Sequence, residues 1–427
     1  MKLELKNINK IRNASVELNS LTVIAGANDS GKSTVGKVLF STIKALISGL
    51  NDSEEQKNDT IRERTLSLTR RLNSLQLDEE TREQQRRLLS FSLYSDIKHS
   101  SDLKSFFSER EDWINALDIV PRQKMLTLKD LNVIKSLLLE ESDYSSRVKA
   151  EFQSYIESEF QNNICSNNTN GSSIKYISDK DFVDIEILSN EVKSSICSMA
   201  FDTVLEDITY VESPLFIHIL DALLRSTTYR EVEKGRRPSL FSMIATHIKD
   251  IATKIDYSSK YLHVNAQIND LFNIESITGG YFAYDKNTRS LVWKKGSLSL
   301  SPVNVASGIK SFGIIQLLLS ADMINENKML IWDEPENHLH PKWQIEFAHL
   351  LVNLAKAGIP IVVSSHSPYF IQGIRYFSRK EQIDKYVNYY LAEETEDGLA
   401  DINEVTNDLN RVFTKLAEPL NEIMNLE

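Results

Sequence analysis

Two short motifs that lie roughly 300 residues apart constrain this chain more than any other feature. The first, at residues 26–34, is Gly-Ala-Asn-Asp-Ser-Gly-Lys-Ser-Thr, which matches the phosphate-binding pattern G-x-x-x-x-G-K-S/T at every defined position. The second, at residues 329–336, is an apolar run that leads into Asp333 and Glu334. In open α/β sheets, ligands gather at the carboxyl ends of the strands. We therefore expect folding to join the two motifs in one site, with the chain between them inserted into a discontinuous core.

The context of the first motif supports a nucleotide-binding role. Residues 21–25 are predicted to form a strand and residues 34–47 a helix, which is the strand–loop–helix arrangement that the motif requires. The glycines let backbone N–H groups close around the β- and γ-phosphates, and the helix directs its positive end at them. Lys32 adds a full positive charge, and the hydroxyl of Ser33 is expected to bind Mg²⁺. The predicted nucleotide-binding residues of this loop are Gly26, Asn28, Ser30, Gly31, Lys32, Ser33 and Thr34.

The acidic pair follows a predicted buried strand and is the candidate for metal and water chemistry. We expect Asp333 to hold Mg²⁺, directly or through water, and Glu334 to orient or deprotonate the attacking water. The alternative is an ordinary solvated turn. The phosphate-binding motif in the same chain favours the catalytic interpretation.

His366 follows another predicted strand, at residues 360–365. A single histidine is more often structural than catalytic. Here its place one strand beyond the acidic pair favours a catalytic role, because a neutral imidazole at a strand end can reach the γ-phosphate or the water.

Ser307 and Gly308 lie just before a predicted helix at residues 312–321. Taken alone, this segment is a loop with a helix cap, so the residues by themselves assign it no function.

Outside these motifs, the chain is predicted to begin with β-strands, to be mainly helical in its middle part, and to alternate between helix and strand toward its C-terminus. Residues 3–8 and 14–18 are predicted to form strands of a flap beside the nucleotide. Residues 48–163 show a helical pattern without a sustained seven-residue repeat, so a long coiled coil is not expected. Residues 207–211 are predicted to form a buried strand. From residue 309 onward, helix and strand alternate as in the second half of a mostly parallel sheet.

The composition indicates a globular protein with a large core. With 427 residues and 41% hydrophobic content, the chain is expected to form two or more lobes. Its longest apolar runs fall far short of the ~20 residues that a membrane-spanning helix needs, so no membrane segment is expected. The N-terminus lacks the apolar centre of a secretion signal and the chain has two cysteines, so we expect a reducing, cytoplasmic environment.

The net charge of −11 argues against a uniformly basic nucleic-acid-binding protein. A local basic groove is still compatible with it, because screening confines each charged patch to about 10 Å. One compact basic cluster is a candidate, either as a solvated loop or as a contact to a phosphate backbone or a partner. Its residues are Arg230, Lys234, Arg236 and Arg237.

The order of these motifs resembles the ABC-type ATPases, and specifically the soluble branch that includes RecF, SMC and the OLD-like ATPases of bacterial anti-phage systems. The resemblance covers residues 1–47 and 270–375, and residues 333–341 look most like the OLD type. It implies an α/β fold: an ABC-type P-loop ATPase core with a mostly parallel sheet flanked by helices and an N-terminal antiparallel β-flap. Residues 48–269 are then a large, mainly helical insertion, and residues 376–427 a C-terminal strand and helix extension.

The resemblance also implies roles for the remaining candidate residues. Ser307 and Gly308 correspond to the signature loop, which contacts the γ-phosphate bound by the other subunit, and His366 corresponds to the switch histidine. The usual signature Leu-Ser-Gly-Gly-Gln is Ala-Ser-Gly-Ile-Lys here. His340 takes the acidic position of the D-loop, and no glutamine stands out for the Q-loop. A homodimer that sandwiches ATP and Mg²⁺ is the expected assembly.

The expected function is that of an ATP-driven switch. About 60 residues follow His366, which leaves no room for the Toprim nuclease domain of OLD-like proteins. The chain thus resembles ATPase subunits of anti-phage systems such as Septu and PARIS, which control a separately encoded effector such as a nuclease. The alternative is a RecF- or SMC-like ATPase of DNA repair or maintenance that binds DNA directly. A transporter subunit is disfavoured by the motif spacing and by His340.

Overall fold

Five parallel strands form one half of the main sheet and carry both motifs at their carboxyl ends. The computed structural model describes residues 1–73, 75, 77–89, 102–139, 144–161, 163–166, 171–178, 182–198, 205–217, 220, 244–260, 274–288 and 290–424. The strands of these residues are β1 (Lys2–Ile8), β2 (Ile11–Glu17), β3 (Leu21–Gly26), β4 (Ser172–Ile177), β5 (Phe182–Leu188), β6 (Glu191–Ser198), β7 (Asp207–Val211), β8 (Tyr281–Asp285), β9 (Ser290–Lys295), β10 (Leu298–Leu300), β11 (Lys328–Asp333), β12 (Ile361–Ser365), β13 (Val387–Glu394) and β14 (Ala400–Glu404).

The helices lie mostly between these strands. In chain order they are α1 (Lys32–Asn73), α2 (Glu79–Leu88), α3 (Leu103–Ala116), α4 (Pro121–Leu139), α5 (Tyr144–Phe160), α6 (Thr246–Lys260), α7 (Ile274–Thr278), α8 (Ser307–Ser320), α9 (Pro341–Lys356), α10 (Pro368–Lys380) and α11 (Asn410–Met424). Within the part of the chain that the structure describes, no helix is long and apolar enough to cross a membrane.

The main sheet joins a parallel half to an antiparallel half. Among the described residues it has eleven strands, in the order β6-β5-β4-β1-β2-β14-β13-β3-β12-β11-β7. The run from β13 to β7 is parallel. Every residue of β3 and β12 is buried, as expected for parallel strands covered on both faces. In β1 and β2 buried and more exposed residues alternate, which is typical of a sheet with one covered face. The predicted mostly parallel α/β core with an N-terminal antiparallel flap is confirmed.

The boundaries of the compact units differ from the predicted domain limits. One unit comprises residues 1–47 and 148–427, and the other residues 48–147. Residues 148–269 were expected to belong to the insertion, but β4 pairs with β1 and β7 with β11, so this segment contributes strands to the main sheet. The predicted C-terminal extension likewise supplies β13 and β14, which lie between β3 and β2.

The core of the first unit lies between the parallel strands and helices α6, α8, α9 and α10. Aromatic side chains fill it edge to face: the ring centroids of Trp332 and Phe347 are 5.0 Å apart, and those of Phe312 and Phe347 5.1 Å. Helix α8 begins at Ser307, earlier than predicted, because nearly all of its residues are buried against this core.

The second unit, residues 48–147, has a hydrophobic core of its own. Leu68, Phe107, Ile114 and Leu131 are fully buried in it, and Trp113 is 9% exposed. The basic cluster that the sequence analysis singled out, Arg230 to Arg237, lies outside the described residues.

Candidate nucleotide-binding site

The phosphate-binding loop connects β3, which ends at Gly26, to α1, which begins at Lys32. A Cβ atom at Gly26 would lie 2.8 Å from Ser30 Oγ and 2.9 Å from the carbonyl oxygen of Ala392, so only glycine fits. Gly31 has a φ of +84°, a left-handed conformation that favours glycine. The two glycines of the motif are thus required by the tight course of the loop.

The backbone of this loop is suited to binding an anion. Among the described residues, no acceptor receives a hydrogen bond from the backbone N–H groups of residues 28–33. The Ser30 hydroxyl donates to the carbonyl oxygen of Ala27 over 2.8 Å, which stabilises the turn. Unpaired N–H groups at the N-terminus of a helix form a phosphate-binding cradle. The loop therefore fits the phosphates of a nucleotide.

Lys32 joins the two distant motifs directly. Its side chain is 3% exposed, and Nζ lies 3.7 Å from Oε1 of Glu334. Nζ also donates to the carbonyl oxygen of Ala27 over 2.6 Å. Burial lowers the pKa of Lys32, and the carboxylates of Glu334 and Asp333 partly offset this effect. The two motifs thus meet in one site.

Asp333 lies at the end of β11, where hydroxyl groups from both neighbouring strands reach it. Tyr210 of β7 donates to Oδ2 over 3.0 Å, and the Ser364 hydroxyl of β12 donates to Oδ1. Burial raises the pKa of Tyr210 well above its usual value, which keeps the phenol protonated as a donor. The sequence analysis missed both partners, although Ser364 lies directly opposite Asp333 in the strand register.

Gly36 explains how the Tyr210 ring fits beneath helix α1. A Cβ atom at position 36 would lie 2.6 Å from Cε2 of Tyr210, so a larger residue would displace the ring or the helix. This glycine lies two residues beyond Thr34, the last predicted binding residue. A glycine inside the predicted helix at residues 34–47 is the sequence signal that could have indicated close packing at this position.

Glu334 is held in a left-handed backbone conformation, with a φ of 47°. Its backbone N–H donates to the carbonyl oxygen of Ser364 over 3.1 Å, and Asn337 Nδ2 donates to Oε2 over 2.9 Å. The neighbouring His366 imidazole, with the Asn337 amide and the Lys32 ammonium, lowers the pKa of Glu334 to about 2. Glu334 is therefore ionised and acts as a hydrogen-bond acceptor at neutral pH.

His366 lies between two carboxylates. Its Nδ1 is 3.3 Å from Oε1 of Glu334 and 3.3 Å from Oε1 of Glu336. The Glu334 carboxylate above all raises the pKa of His366, although partial burial opposes this. The imidazole therefore stays protonated to a higher pH than an ordinary histidine does.

Glu336 is a buried carboxyl group that fixes the end of β12. Its Oε1 accepts hydrogen bonds from the Ser365 hydroxyl over 2.7 Å, from the His366 backbone N–H over 2.7 Å and from the Ser367 backbone N–H over 3.1 Å. Burial raises the pKa of Glu336. The sequence analysis gave it no role, although its place two residues beyond the acidic pair, after a proline, was visible.

Ser307 and Gly308 lie at the N-terminus of α8. A Cβ atom at Gly308 would lie 2.6 Å from Cε3 of Trp343 and 2.9 Å from Cδ2 of Leu339, so glycine allows close packing there. Among the described residues, no hydrogen bond or ion pair links Ser307 or Gly308 to the phosphate-binding loop. Their role toward a nucleotide stays a prediction.

Comparisons with known proteins agree with this site. Residues 1–371 match the family model AAA_15, described as an AAA ATPase domain. The chain therefore belongs to this family of ATPases. The OLD nuclease of Thermus scotoductus is 30% identical over 122 residues, which are 27% of this chain and 23% of the nuclease. The match thus spans less than a quarter of that relative. The predicted resemblance to the OLD-like branch is confirmed.

Three solved structures resemble the chain over most of its length at low sequence identity. The SMC head domain from Thermotoga maritima is 12% identical with a TM-score of 0.39, covering 95% of this chain and 98% of that one. The Smc head from Pyrococcus furiosus, bound to the C-terminal domain of ScpA, is 10% identical with a TM-score of 0.40, covering 99% and 98%. The ATP-binding cassette of an ABC transporter in its ADP conformation is 11% identical with a TM-score of 0.34, covering 98% of each chain.

Proposed function

We propose that this ATPase is a switch that binds ATP and Mg²⁺ and hydrolyses ATP in a homodimer. The observation that carries the proposal is the meeting of Lys32 with Glu334, beside Asp333 at the carboxyl edge of the sheet. In this proposal the loop N–H groups and Lys32 bind the phosphates. Ser33 and Asp333 hold Mg²⁺, which neutralises phosphate charge when bound.

Glu334 and His366 act on the water in this proposal. The carboxylate of Glu334 is held by Asn337 and lies 3.3 Å from His366 Nδ1. Its pKa of about 2 makes it a weak base, so its main contribution is to orient the water by accepting a hydrogen bond. His366 is 35% exposed, and its protonated form can stabilise negative charge that develops on the γ-phosphate.

The second copy completes the site by supplying Ser307 and Gly308. Within one chain, Gly308 packs against Trp343 in the first turn of α9 and against Leu339, which precedes that helix. At the N-terminus of α8, Ala306 is exposed and Ser307 is half-buried, and the positive end of the helix dipole there is suited to an anion held by another subunit. ATP binding would then close the dimer and hydrolysis would open it.

The switch is proposed to control a separately encoded effector, such as a nuclease, in a bacterial anti-phage complex. The relative from Thermus scotoductus is named a nuclease, and this chain matches only 23% of it. Residues 48–147 form a compact unit with its own core and are the proposed docking part. The C-terminal helix α11 is a second docking candidate.

The proposal is tested by ATP hydrolysis and by co-purification with the product of the adjacent gene. Lys32→Ala removes the ammonium from the phosphates and is expected to weaken ATP binding by about 10-fold or more, since hydrogen bonds to charged groups contribute ~1.5–3 kcal/mol. Lys254→Met is a control, because Lys254 is a buried lysine at the other end of the sheet, paired with Asp207 and Asp250.

The co-purified complex is then assayed for nuclease activity with and without ATP. ATP-dependent cleavage that Lys32→Ala abolishes supports the proposal. An ATPase that co-purifies with no protein and is stimulated by bare DNA would overturn the effector role and favour a RecF- or SMC-like function.

A further inference from the structure

A carboxylate that the sequence analysis did not single out lies at the same edge of the sheet as Asp333. Glu212 directly follows β7, the strand that pairs with β11 in parallel register. Parallel neighbours end at the same edge, so Glu212, which follows β7, and Asp333, the last residue of β11, lie at adjacent strand ends. Lys37, four residues beyond Ser33 on the same face of α1, is close enough to lower the pKa of Glu212 after the larger effect of His247.

A buried histidine fixes the carboxylate of Glu212. Nε2 of His247 lies 2.8 Å from Oε2 of Glu212, and Nδ1 lies 2.6 Å from Oε2 of Glu159. The His247 backbone N–H also donates to Oε1 of Glu159 over 2.9 Å. Both ring nitrogens therefore meet a carboxyl oxygen, and His247 bridges Glu159 and Glu212.

The three residues of this network differ sharply in exposure. The side chains of His247 and Glu159 are 1% and 0% exposed, whereas that of Glu212 is 40% exposed. A buried ion pair is often no more stabilising than apolar residues of similar volume, so stability alone is a weak explanation for it. In this arrangement the carboxylate of Glu212 is exposed, and the buried His247 and Glu159 hold it in place.

The same histidine also contacts Tyr210, the residue that donates a hydrogen bond to Asp333. The His247 ring meets the Tyr210 ring edge to face, with the centroids 4.7 Å apart. Tyr210 in turn donates its hydroxyl hydrogen bond to Asp333. His247 therefore contacts both Glu212, which follows β7, and Tyr210, which donates to Asp333 at the end of β11.

We propose that His247, anchored by Glu159, is a positioning residue that holds Glu212 and the Tyr210–Asp333 pair as two acidic arms of one divalent-cation site. Glu212 accepts hydrogen bonds from the water molecules of a cation that Asp333 binds. This inference rests on the proposed ATPase function, and all of its residues except Asp333 lie outside the sequence-predicted set.

The test is a titration of Mg²⁺ against the binding of a fluorescent ATP analogue by the full chain. Glu212→Ala and Glu159→Gln are each expected to raise the half-saturating Mg²⁺ concentration by about 10-fold, the usual effect of losing a residue that orients a metal ligand. Binding of the analogue without Mg²⁺ is expected to be unchanged. Glu212→Asp, which keeps the carboxylate, is expected to restore part of the loss.

Asp250→Asn is the matched control for the loss of a buried charge. Asp250 belongs to a separate buried network with Lys44 and Lys254 at the amino end of β7. This variant is expected to lower the melting temperature without changing the Mg²⁺ titration.

Two outcomes would overturn the inference. One is an unchanged Mg²⁺ titration in Glu212→Ala while the analogue still binds, and the other is an equal shift in Asp250→Asn. If the unmodified chain does not bind the ATP analogue in a Mg²⁺-dependent way, the proposed function itself fails. The titration of the unmodified chain therefore separates this failure from a failure of the inference.

Discussion

Glu336 Oε1 accepts the backbone N–H of His366 over 2.7 Å and so connects the turn after β11 to the end of β12. The same oxygen accepts two further donors, from Ser365 and Ser367. The position of the His366 imidazole relative to Glu334 therefore depends on a side chain that is only 3% exposed.

Glu336→Ala is expected to slow ATP hydrolysis by about 10-fold or more while leaving ATP affinity nearly unchanged. The three donors lose their acceptor, and each unsatisfied buried group costs about 1–3 kcal/mol. Glu336→Gln keeps an acceptor oxygen at the same place and should recover most of the rate. The measurement is kcat and KM for both variants. A normal kcat in Glu336→Ala would show that His366 does not depend on this contact.

Glu334→Gln is expected to bind ATP but to hydrolyse it about 100-fold more slowly, which is the lower end of the usual effect of removing a group that acts on the attacking water. The amide keeps its contact with Asn337 but has no negative charge to orient the water. Size-exclusion chromatography with ATP and Mg²⁺ should then show a long-lived dimer. Hydrolysis at the unmodified rate would refute the role of Glu334.

The sequence was sufficient to predict those residues of the site that belong to recognisable motifs. Lys32, Asp333, Glu334 and His366 were predicted, and the structure places Lys32, Glu334 and His366 within 4 Å of one another in successive contacts. These residues follow strands whose apolar runs are unmistakable, and the carboxyl ends of parallel strands meet at one edge.

The supporting residues could not be predicted, because they depend on strand register and side-chain direction. Ser364 precedes His366 by two residues, but only the pairing with Asp333 gives it a role. Tyr210 and His247 come from segments far apart in sequence and meet on the buried side of β7. The same limit applies to β13 and β14: their alternation was visible, but nothing local indicates that they lie between β2 and β3.

The ion pair between Glu334 and His366 should stabilise the fold only within a pH window. The folded-state pKa of Glu334 is lowered from 4.5 to about 2, so its contribution is present above 4.5 and is lost as the pH falls toward 2. The folded-state pKa of His366 is raised above 6.5, so its contribution is present below 6.5 and is lost as the pH rises through the raised value. The coupling should therefore be largest between about pH 4.5 and 6.5.

A double-mutant cycle of Glu334→Gln and His366→Asn measures this coupling by denaturant unfolding from pH 5 to pH 9. We expect roughly 1 kcal/mol near pH 6, since partial exposure screens the pair, and a smaller value at pH 9. A coupling energy that stays constant across this range would mean that the two groups do not interact as charges.

Mixed dimers should reveal whether each site takes Ser307 from one subunit and Lys32 from the other. Ser307→Arg and Lys32→Ala are each expected to be inactive alone, because every site in either homodimer lacks one of the two residues. In a 1:1 mixture, half of the dimers contain one subunit of each kind, and one of their two sites is intact. Activity should recover to about one quarter of the unmodified level if subunits pair at random.

The control is a mixture of Lys32→Ala with Glu334→Gln. Lys32 and Glu334 are 3.7 Å apart in the same chain, so no site is restored and no activity should return. Recovery in the control mixture, or none in the test mixture, would contradict the shared site.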